Sequence, residues 1–329
     1  MSRTPLILAL GLAGLLALFI AVLTGSAPIT LGETLAAVLG GASEPVRLII
    51  WEIRLPRALT AFLVGASLGA SGAVLQGLLR NPLADPGVLG VSAMSALGAV
   101  IVIYFGFASL HPLITPVAAI LGAVVSVAVL YALGGGRVGV TQLILVGVGL
   151  SSFAGALTAL AMNLAPNPFS LSDLVNWLLG SVANRSWIDI GFAAPFWIVG
   201  GALALLAAPG LRALSLGEDA ALSLGADLKR TRLFAVLGAA LLTGAAVAVA
   251  GVIGFVGIVA PHLVRPLVRH DPGDLIIPSA LAAGAMLVLA DIAVRLAPFS
   301  PELKIGVAAA LVGAPAFVWI AATTRGFGR

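Results

Sequence analysis

The sequence of 329 residues contains no cysteine and very few charged side chains. Without cysteine, the chain can form no disulfide, no thiolate nucleophile and no cysteine-ligated metal site. Lys and Arg number 17 and Asp and Glu number 13, so only 9% of the residues are charged, against about 25% in soluble domains. So little charge cannot cover a water-exposed surface, which excludes a soluble enzyme, a nucleic-acid-binding protein and a disordered protein.

Motifs for catalysis and for energy coupling are also missing. The two lysines, Lys229 and Lys304, do not follow Gly-rich loops, so no Walker A motif is present. The three histidines lack HExxH spacing, and no GxSxG motif occurs. We therefore expect no enzymatic activity, no metal site and no cofactor bound by this chain. Any transport driven by ATP would need its ATPase, with ATP and Mg, on another chain.

One carboxylate lies within an apolar region. Asp291 follows a charge-free run, and Arg295 lies four residues later, where the two side chains can pair on one helix face. Carboxylates inside a membrane commonly serve ion or proton coupling. A stand-alone secondary transporter coupled through Asp291 is therefore the alternative function, although a single paired carboxylate favours an external energy source.

Long apolar runs dominate the rest of the chain. Hydrophobic residues make up 60% of it, and the mean hydropathy is +1.17. A membrane helix needs about 20 apolar residues. The longest run divides at His111-Pro112, and the run after Arg232 divides in the Gly-rich stretch 251–261, so ten spans result, of which the eighth is short. The charge-free runs are 4–32, 58–79, 86–136, 138–172, 190–211, 233–264, 275–290 and 305–324.

Ten spans place both termini on the same side of the membrane. With the N-terminus inside, eleven Lys and Arg residues lie on the cytoplasmic side and six lie outside, as the positive-inside rule favours. The first run is longer than the apolar part of a signal peptide, so we expect a retained first helix. The expected fold is an all-α polytopic membrane protein with one domain over 1–329 and cytoplasmic termini. The inner set is Arg3, Arg80, Arg137, Arg212, Lys229, Arg230, Arg232, Arg265, Arg269, Arg325 and Arg329, and the outer set is Arg47, Arg54, Arg57, Arg185, Arg295 and Lys304.

Two polar segments are candidate interaction sites. Outside, Arg54 and Arg57 precede the second span, where they could dock an acidic partner or extend into the interface from the membrane. Inside, the coupling segment (about 212–230) is predicted to form a short amphipathic helix with an apolar face. Such a helix can dock into a groove of another protein, although a solvated loop is the alternative. The predicted apolar face consists of Leu216, Ala220, Ala221 and Leu224, and Gly217 and Gly225 bracket the segment.

The order of the motifs resembles one transporter family. RLPR (54–57), GASLGASGAVLQGLLRNPLADPGVLGVS (65–92), LGEDAALSLGADL (216–228), GFVGIVAPHLVR (254–265), PSALAAGA (278–285), ADIAVR (290–295) and GAPAFVWI (313–320) follow one another as in FecCD/BtuC-type permeases. These are the membrane subunits of type II ATP-binding-cassette (ABC) importers for ferric siderophores, haem and vitamin B12. The resemblance extends from about residue 50 to about residue 320.

The resemblance implies a set of partners and a location. The permease would lie in the bacterial inner membrane as a homodimer around a translocation path. Two ATPase subunits would bind inside, and a periplasmic or lipid-anchored substrate-binding protein would dock outside. ATP hydrolysis would drive alternating access for a bulky metal chelate, with a ferric siderophore expected first and haem or vitamin B12 next.

The resemblance also implies roles for individual residues. Arg54, Arg57 and Arg295 match positions that meet acidic residues of the binding protein. Lys304 departs from the family's more common apolar residue and would extend that surface. The residues that match the ATPase-coupling region are Leu216, Gly217, Glu218, Ala220, Ala221, Leu224 and Gly225, and those that match the cytoplasmic gate are Asn81, Leu83, Val140 and Thr141.

Overall fold

The computed structural model describes residues 3–133, 139–298 and 302–323, so Arg137, Arg325 and Arg329 lie outside the described residues. Within these ranges all regular secondary structure is helical, with fourteen α-helices. Their bounds are α1 Arg3–Leu23, α2 Leu31–Leu39, α3 Glu44–Leu48, α4 Leu55–Leu79, α5 Val91–Tyr104, α6 Ile114–Leu133, α7 Val140–Asn163, α8 Pro168–Leu178, α9 Trp187–Leu214, α10 Glu218–Ser223, α11 Leu228–Ala250, α12 Val256–Val264, α13 Ile276–Leu296 and α14 Ile305–Thr323.

The predicted ten spans have helical counterparts in the described part of the chain. Seven helices are long and apolar enough to cross a membrane, and three shorter apolar helices, α5, α12 with its extension to Val268, and α14, accompany them. The nine residues of α12 rise only about 14 Å, which is half of the bilayer core. The all-α polytopic fold is therefore confirmed, and the eighth span is short, as expected.

The second span is longer than the charge-free run 58–79 predicted. The helix begins at Glu44 and continues to Leu79 through a π-helical turn at Ile49–Arg54. This turn joins α3 to α4 without a break, so Arg54 and Arg57 lie within a helix rather than before one. The prediction took a charged residue as the end of a span. It was wrong here because these arginines have partners inside the protein. Single π-helical turns occur frequently at functional sites.

α4 is the central helix of the bundle, and it packs against α13, α11, α12 and α9. Small residues permit this packing. A Cβ atom at Gly69 would overlap the Ser279 carbonyl on α13, and one at Gly72 would overlap the Gly257 carbonyl on α12. In lipid, helix association depends on such close backbone contact. The glycines therefore fix α12 and α13 against α4.

The chain between α11 and α12 is not helical. Gly251 and Phe255 both adopt positive φ angles, of 71° and 67°. The Ser181 N–H donates a hydrogen bond to the Ala250 carbonyl over 2.7 Å, so the broken helix end is satisfied by the loop between α8 and α9. Within a membrane, non-helical backbone is tolerated when it is buried in protein.

Candidate functional site

The outer arginine cluster consists of Arg54, Arg57, Asp291, Arg295 and Glu302. It forms where the end of α1, the start of α4, the end of α13 and the start of α14 converge. Arg57 Nη2 lies 2.8 Å from Asp291 Oδ1, and Arg57 also pairs with Glu302. Arg295 Nε lies 3.1 Å from Asp291 Oδ2. Asp291 therefore bridges two guanidinium groups, and the expected pairing of Asp291 with Arg295 is confirmed.

The carboxyl end of α1 supplies the remaining partners of this cluster. Arg54 Nη1 donates hydrogen bonds to the carbonyls of Val22 and Leu23, both over 3.0 Å. Arg295 Nη1 donates to the Ala21 carbonyl over 3.0 Å and to the Thr24 carbonyl over 2.7 Å. The last carbonyls of a helix lack intrahelical donors and favour positive charge. The two arginines thus cap α1 and join it to α4 and α13.

The three predicted docking residues come together, yet little of their surface is exposed. Arg54 is buried, and the side chains of Arg57 and Arg295 are nearly so. They line one cavity of about 390 Å³ that Glu302 and the loop after α1 complete. An incoming partner would reach the guanidinium groups through this cavity. No contact in the isolated chain tests the docking role, which stays a prediction.

Glu302 is the member of the outer arginine cluster that the motif analysis missed. It lies in the loop between α13 and α14, and its signal was present in the sequence. It is the one acidic residue between the ADIAVR motif and α14, and it lies on the same side of the membrane as the three arginines. With two carboxylates against three arginines, the cluster carries one uncompensated positive charge.

Lys304 does not join this cluster. It lines a separate cavity of about 430 Å³ beside α8, together with Asp173, Asn176 and Arg185. Glu302 and Lys304 therefore point into different cavities, although they are two residues apart. The structure separates Lys304 from the surface that it was expected to extend.

The coupling segment (212–230) lies at the opposite end of the bundle, between α9 and α11. Its helix, α10, comprises only Glu218–Ser223. Ala221 is fully buried at 0% exposure, whereas Leu216 and Leu224 are both 67% exposed. The predicted common face of these residues is therefore wrong. Both leucines lie outside the helix, where the helical repeat does not set their direction. Leu222, which the pattern missed, is exposed beside them.

Ion pairs and backbone geometry hold the coupling segment in place. Arg232 Nη2 on α11 lies 2.6 Å from Glu218 Oε1, and Arg212 on α9 pairs with Asp271 over 2.9 Å. Gly217, before α10, has a φ of 102°, and Gly225, after it, has a φ of 79°. Such angles favour glycine. The exposed leucines are thus presented by an ordered turn rather than by a solvated loop.

The predicted gate residues divide between a tight turn and the start of α7. In the turn, Asn81 Oδ1 accepts a hydrogen bond from the Leu83 N–H over 2.9 Å. Asp85 Oδ1 accepts one from the Gly87 N–H over 2.7 Å. Burial raises the pKa of Asp85, and this hydrogen bond opposes the increase. The aspartate is therefore part of the turn rather than of a solvated surface.

α7 contacts this turn beyond its first residues. A Cβ at Gly147 would overlap the Val88 carbonyl, and Ser151 Oγ donates to the Gly87 carbonyl over 3.4 Å. Val140 is half-buried and Thr141 is exposed at the start of the helix. The close contact between the turn and α7 lies at Gly147 and Ser151, so the gate role of Val140 and Thr141 stays a prediction.

Across the described ranges 3–133, 139–298 and 302–323, no three His, Asp or Glu side chains lie close enough together to hold a metal ion.

Comparison with known proteins decides the family. The model of the FecCD transport family matches residues 12–323, nearly the whole chain. The chain belongs to the FecCD transport family. The resemblance in the motif order is confirmed, and this FecCD-family protein is a multi-pass membrane permease of an ABC importer that carries no ATPase of its own.

Curated relatives agree with this assignment. The chain is 40% identical to the uncharacterized ABC transporter permease protein YvrB of Bacillus subtilis, over 85% of this chain and 80% of that protein. It is 42% identical to the vitamin B12 import system permease protein BtuC of Vibrio cholerae, over 83% of this chain and 82% of that protein. These relatives favour the importer over a secondary transporter coupled through Asp291.

A solved structure extends the agreement to the fold. It is described as an inward-facing conformation of an ABC transporter assigned to the metal-chelate type. The TM-score is 0.85 at 30% identity, and the match covers 98% of this chain and 100% of that chain. The helix arrangement of the FecCD-family permease is therefore that of an importer membrane subunit.

Proposed function

We propose that this permease works as a single-domain subunit of a homodimer that moves a bulky metal chelate inward by alternating access. A separate ATPase subunit binds each coupling segment (212–230), and that subunit binds Mg and ATP and hydrolyses the ATP. A substrate-binding protein docks at the outer arginine cluster through its acidic side chains. One observation carries the proposal. The same bundle has a cluster of arginines at one end and exposed leucines on an ordered turn at the other.

The cytoplasmic surface supports the ATPase contact. Leu216, Leu222 and Leu224 are all more than half exposed, and ion pairs hold the segment that carries them. Large exposed apolar side chains on an ordered turn are typical of a protein contact. The segment lies between α9 and α11. If these leucines are buried in an ATPase groove, movement of the ATPase subunits on binding ATP would therefore move both helices. The same movement would act on the gate residues Asn81, Leu83, Val140 and Thr141.

The relatives' names favour a corrinoid as the cargo. Several similar permeases are named for vitamin B12 or cobalamin, among them those of Vibrio cholerae, Halobacterium salinarum and Salmonella typhi. We therefore place a corrinoid before the ferric siderophore that the sequence analysis expected, and haem after both. All three are bulky metal chelates and suit the same wide path between two permease copies.

The test begins with partner capture. We would purify the tagged permease in mild detergent from its native membrane and identify the associated chains. Native mass spectrometry should give two permease and two ATPase subunits. Reconstituted with the captured binding protein, the complex should take up radiolabelled cyanocobalamin with ATP, and a ferric hydroxamate or haem should compete poorly.

Two outcomes would contradict parts of this proposal. A permease that purified alone and moved solute without ATP would remove the ATPase contact. Uptake of the ferric hydroxamate in preference to cyanocobalamin would leave the importer intact and restore the siderophore as cargo. An ATPase variant that cannot hydrolyse ATP is the control for ATP-independent leakage.

A further inference from the structure

The two carboxylates on Arg57 differ sharply in their surroundings. The side chain of Asp291 is 1% exposed, whereas that of Glu302 is 40% exposed. Asp291 also binds Arg295. Because Arg57 lies on α4 and Asp291 on α13, their ion pair is part of the packed junction of these two helices. Glu302 comes from the short segment before α14 and, within the described residues, binds the cluster only through Arg57.

These differences predict which carboxylate can leave. Moving Asp291 away would take its carboxylate from two guanidinium groups that are nearly buried, and breaking a buried ion pair is strongly destabilising. Glu302 is 40% exposed, so water competes for its carboxylate, and an ion pair with one such exposed partner contributes less to stability. Arg57 can therefore exchange Glu302 for another carboxylate while Asp291 stays in place.

The outer cavity has room for the incoming group. Its volume of about 390 Å³ is lined by all three arginines and by Glu302. Arg295 Nη2 is buried and has no hydrogen-bond partner among the described residues. With one uncompensated positive charge in the cluster, the cavity favours an acidic side chain of the docking protein.

We propose that Glu302 is an internal competitor for the docking site: it covers Arg57 in the unoccupied permease, and a carboxylate of the substrate-binding protein displaces it. This inference rests on the proposed docking function and adds its regulation. The internal carboxylate lowers the affinity for the binding protein, so that the complex can dissociate after each delivery.

Displacement of Glu302 also has a structural consequence. The Lys304 carbonyl accepts hydrogen bonds from the N–H groups of Val307 and Ala308, over 3.0 and 3.2 Å. It therefore caps the first turn of α14, only two residues after Glu302. Release of Glu302 removes the ion pair that ties the segment before α14 to the outer arginine cluster, so docking outside acts on a membrane helix through a short connection.

The test compares two matched variants. Glu302→Gln keeps the shape of the side chain and removes its charge. Glu44→Gln is the control, because Glu44 is also an outer carboxylate near an arginine, Arg47, at 4.0 Å, and both partners are exposed. Both variants change the net charge equally, so they experience the same long-range attraction to an acidic partner.

The measurement is the equilibrium affinity of the captured binding protein for the permease–ATPase complex in nanodiscs. We expect Glu302→Gln to tighten binding about 2- to 5-fold, because the pair made by the partly exposed Glu302 is weak, and Glu44→Gln to leave it unchanged. Unchanged or weaker binding for Glu302→Gln would overturn the proposal. An equal increase for both variants would also overturn it, since net charge would then be the cause.

A double-mutant cycle separates this inference from the docking function itself. In an Arg57→Gln background, the gain from Glu302→Gln should disappear, because its target is absent. If Arg57→Gln binds the protein as tightly as the unmodified permease, the docking surface itself is misplaced. If Arg57→Gln weakens binding but Glu302→Gln does not tighten it, docking stands and only the competitor role fails. Arg54→Gln repeats the docking test if Arg57→Gln does not fold.

Discussion

The two ends of the helix bundle offer opposite kinds of surface. At the outer end, three arginines lie in or near the interior and are already bound to carboxylates and carbonyls of the same chain. At the cytoplasmic end, leucines of the coupling segment stand exposed on an ordered turn. Arginines that already have internal partners favour a contact that forms and breaks. When a carboxylate of another protein replaces an internal one, the net change in free energy is small. Exposed apolar side chains favour a lasting contact, because their burial is favourable.

The first and largest expected effect tests the structural role of the outer charges. Asp291→Ala leaves Arg57 and Arg295 without their shared carboxylate, and breaking a buried pair in this way costs about 3–5 kcal/mol. We expect a large decrease in the thermal stability of the purified permease in detergent, measured by the loss of helical circular dichroism. Glu302→Gln is the control and should cost under about 1 kcal/mol. Equal stability of the two variants would show that the cluster is not structural.

The second prediction concerns the cytoplasmic end. The double variant Leu216→Asp and Leu222→Asp should weaken ATPase binding roughly 100-fold, because two apolar side chains would no longer be buried. Co-purification and binding titrations of the ATPase measure this effect. Leu39→Asp is the matched control, since Leu39 is strongly exposed on α2 at the outer end. Loss of ATPase with the control variant would indicate general unfolding.

The third prediction is that ionic strength affects docking of the binding protein more than it affects binding of the ATPase. Between about 50 and 500 mM salt, we expect docking of the binding protein to weaken about 10-fold, because salt screens the long-range attraction between the positive outer cluster and an acidic partner. The ATPase contact should change less than about 2-fold over the same range. Surface-based binding measurements on one preparation give both values. A salt-insensitive outer contact would contradict the comparison between the two ends.

The smallest predicted effect sharpens the view of α10. Gly217 has a φ of 102°, so Gly217→Ala introduces strain of about 1–3 kcal/mol at this turn. We expect normal levels of permease and a modest decrease in ATPase activity stimulated by the binding protein. Gly191→Ala is the control, because Gly191 lies on α9 with open space around it. Unaltered stimulation in Gly217→Ala would mean that the orientation of α10 is not critical.

Much of the architecture could be predicted from the sequence. The charge-free runs predicted ten spans, since a bilayer admits few unpaired charges, and the described helices agree with them. The second span was predicted too short, because Arg54 and Arg57 interrupted the run while Asp291 and α1 carbonyls satisfied them in the fold. A rule that counts charges cannot detect partners more than 200 residues away along the chain.

The coupling segment illustrates the other limit. A short helix does lie between Gly217 and Gly225, as the sequence predicted, but the helical repeat placed Ala221 and Leu216 on one face. The helix begins after Leu216 and ends before Leu224, so the helical repeat does not set their directions; Ala221 packs inward and Leu216 points outward. In a helix of one or two turns, the surrounding contacts set the direction of each side chain.

The sequence by itself determined the class of protein, the number of spans and the family, because these depend on composition, on run length and on the order of motifs. Only the tertiary structure decided that Asp291 serves two arginines, that Glu302 covers Arg57 and that Lys304 faces another cavity. Ion pairs between distant segments depend on which helix ends converge. That convergence is set by the packing of small residues on α4 against α12 and α13, and no local pattern records it.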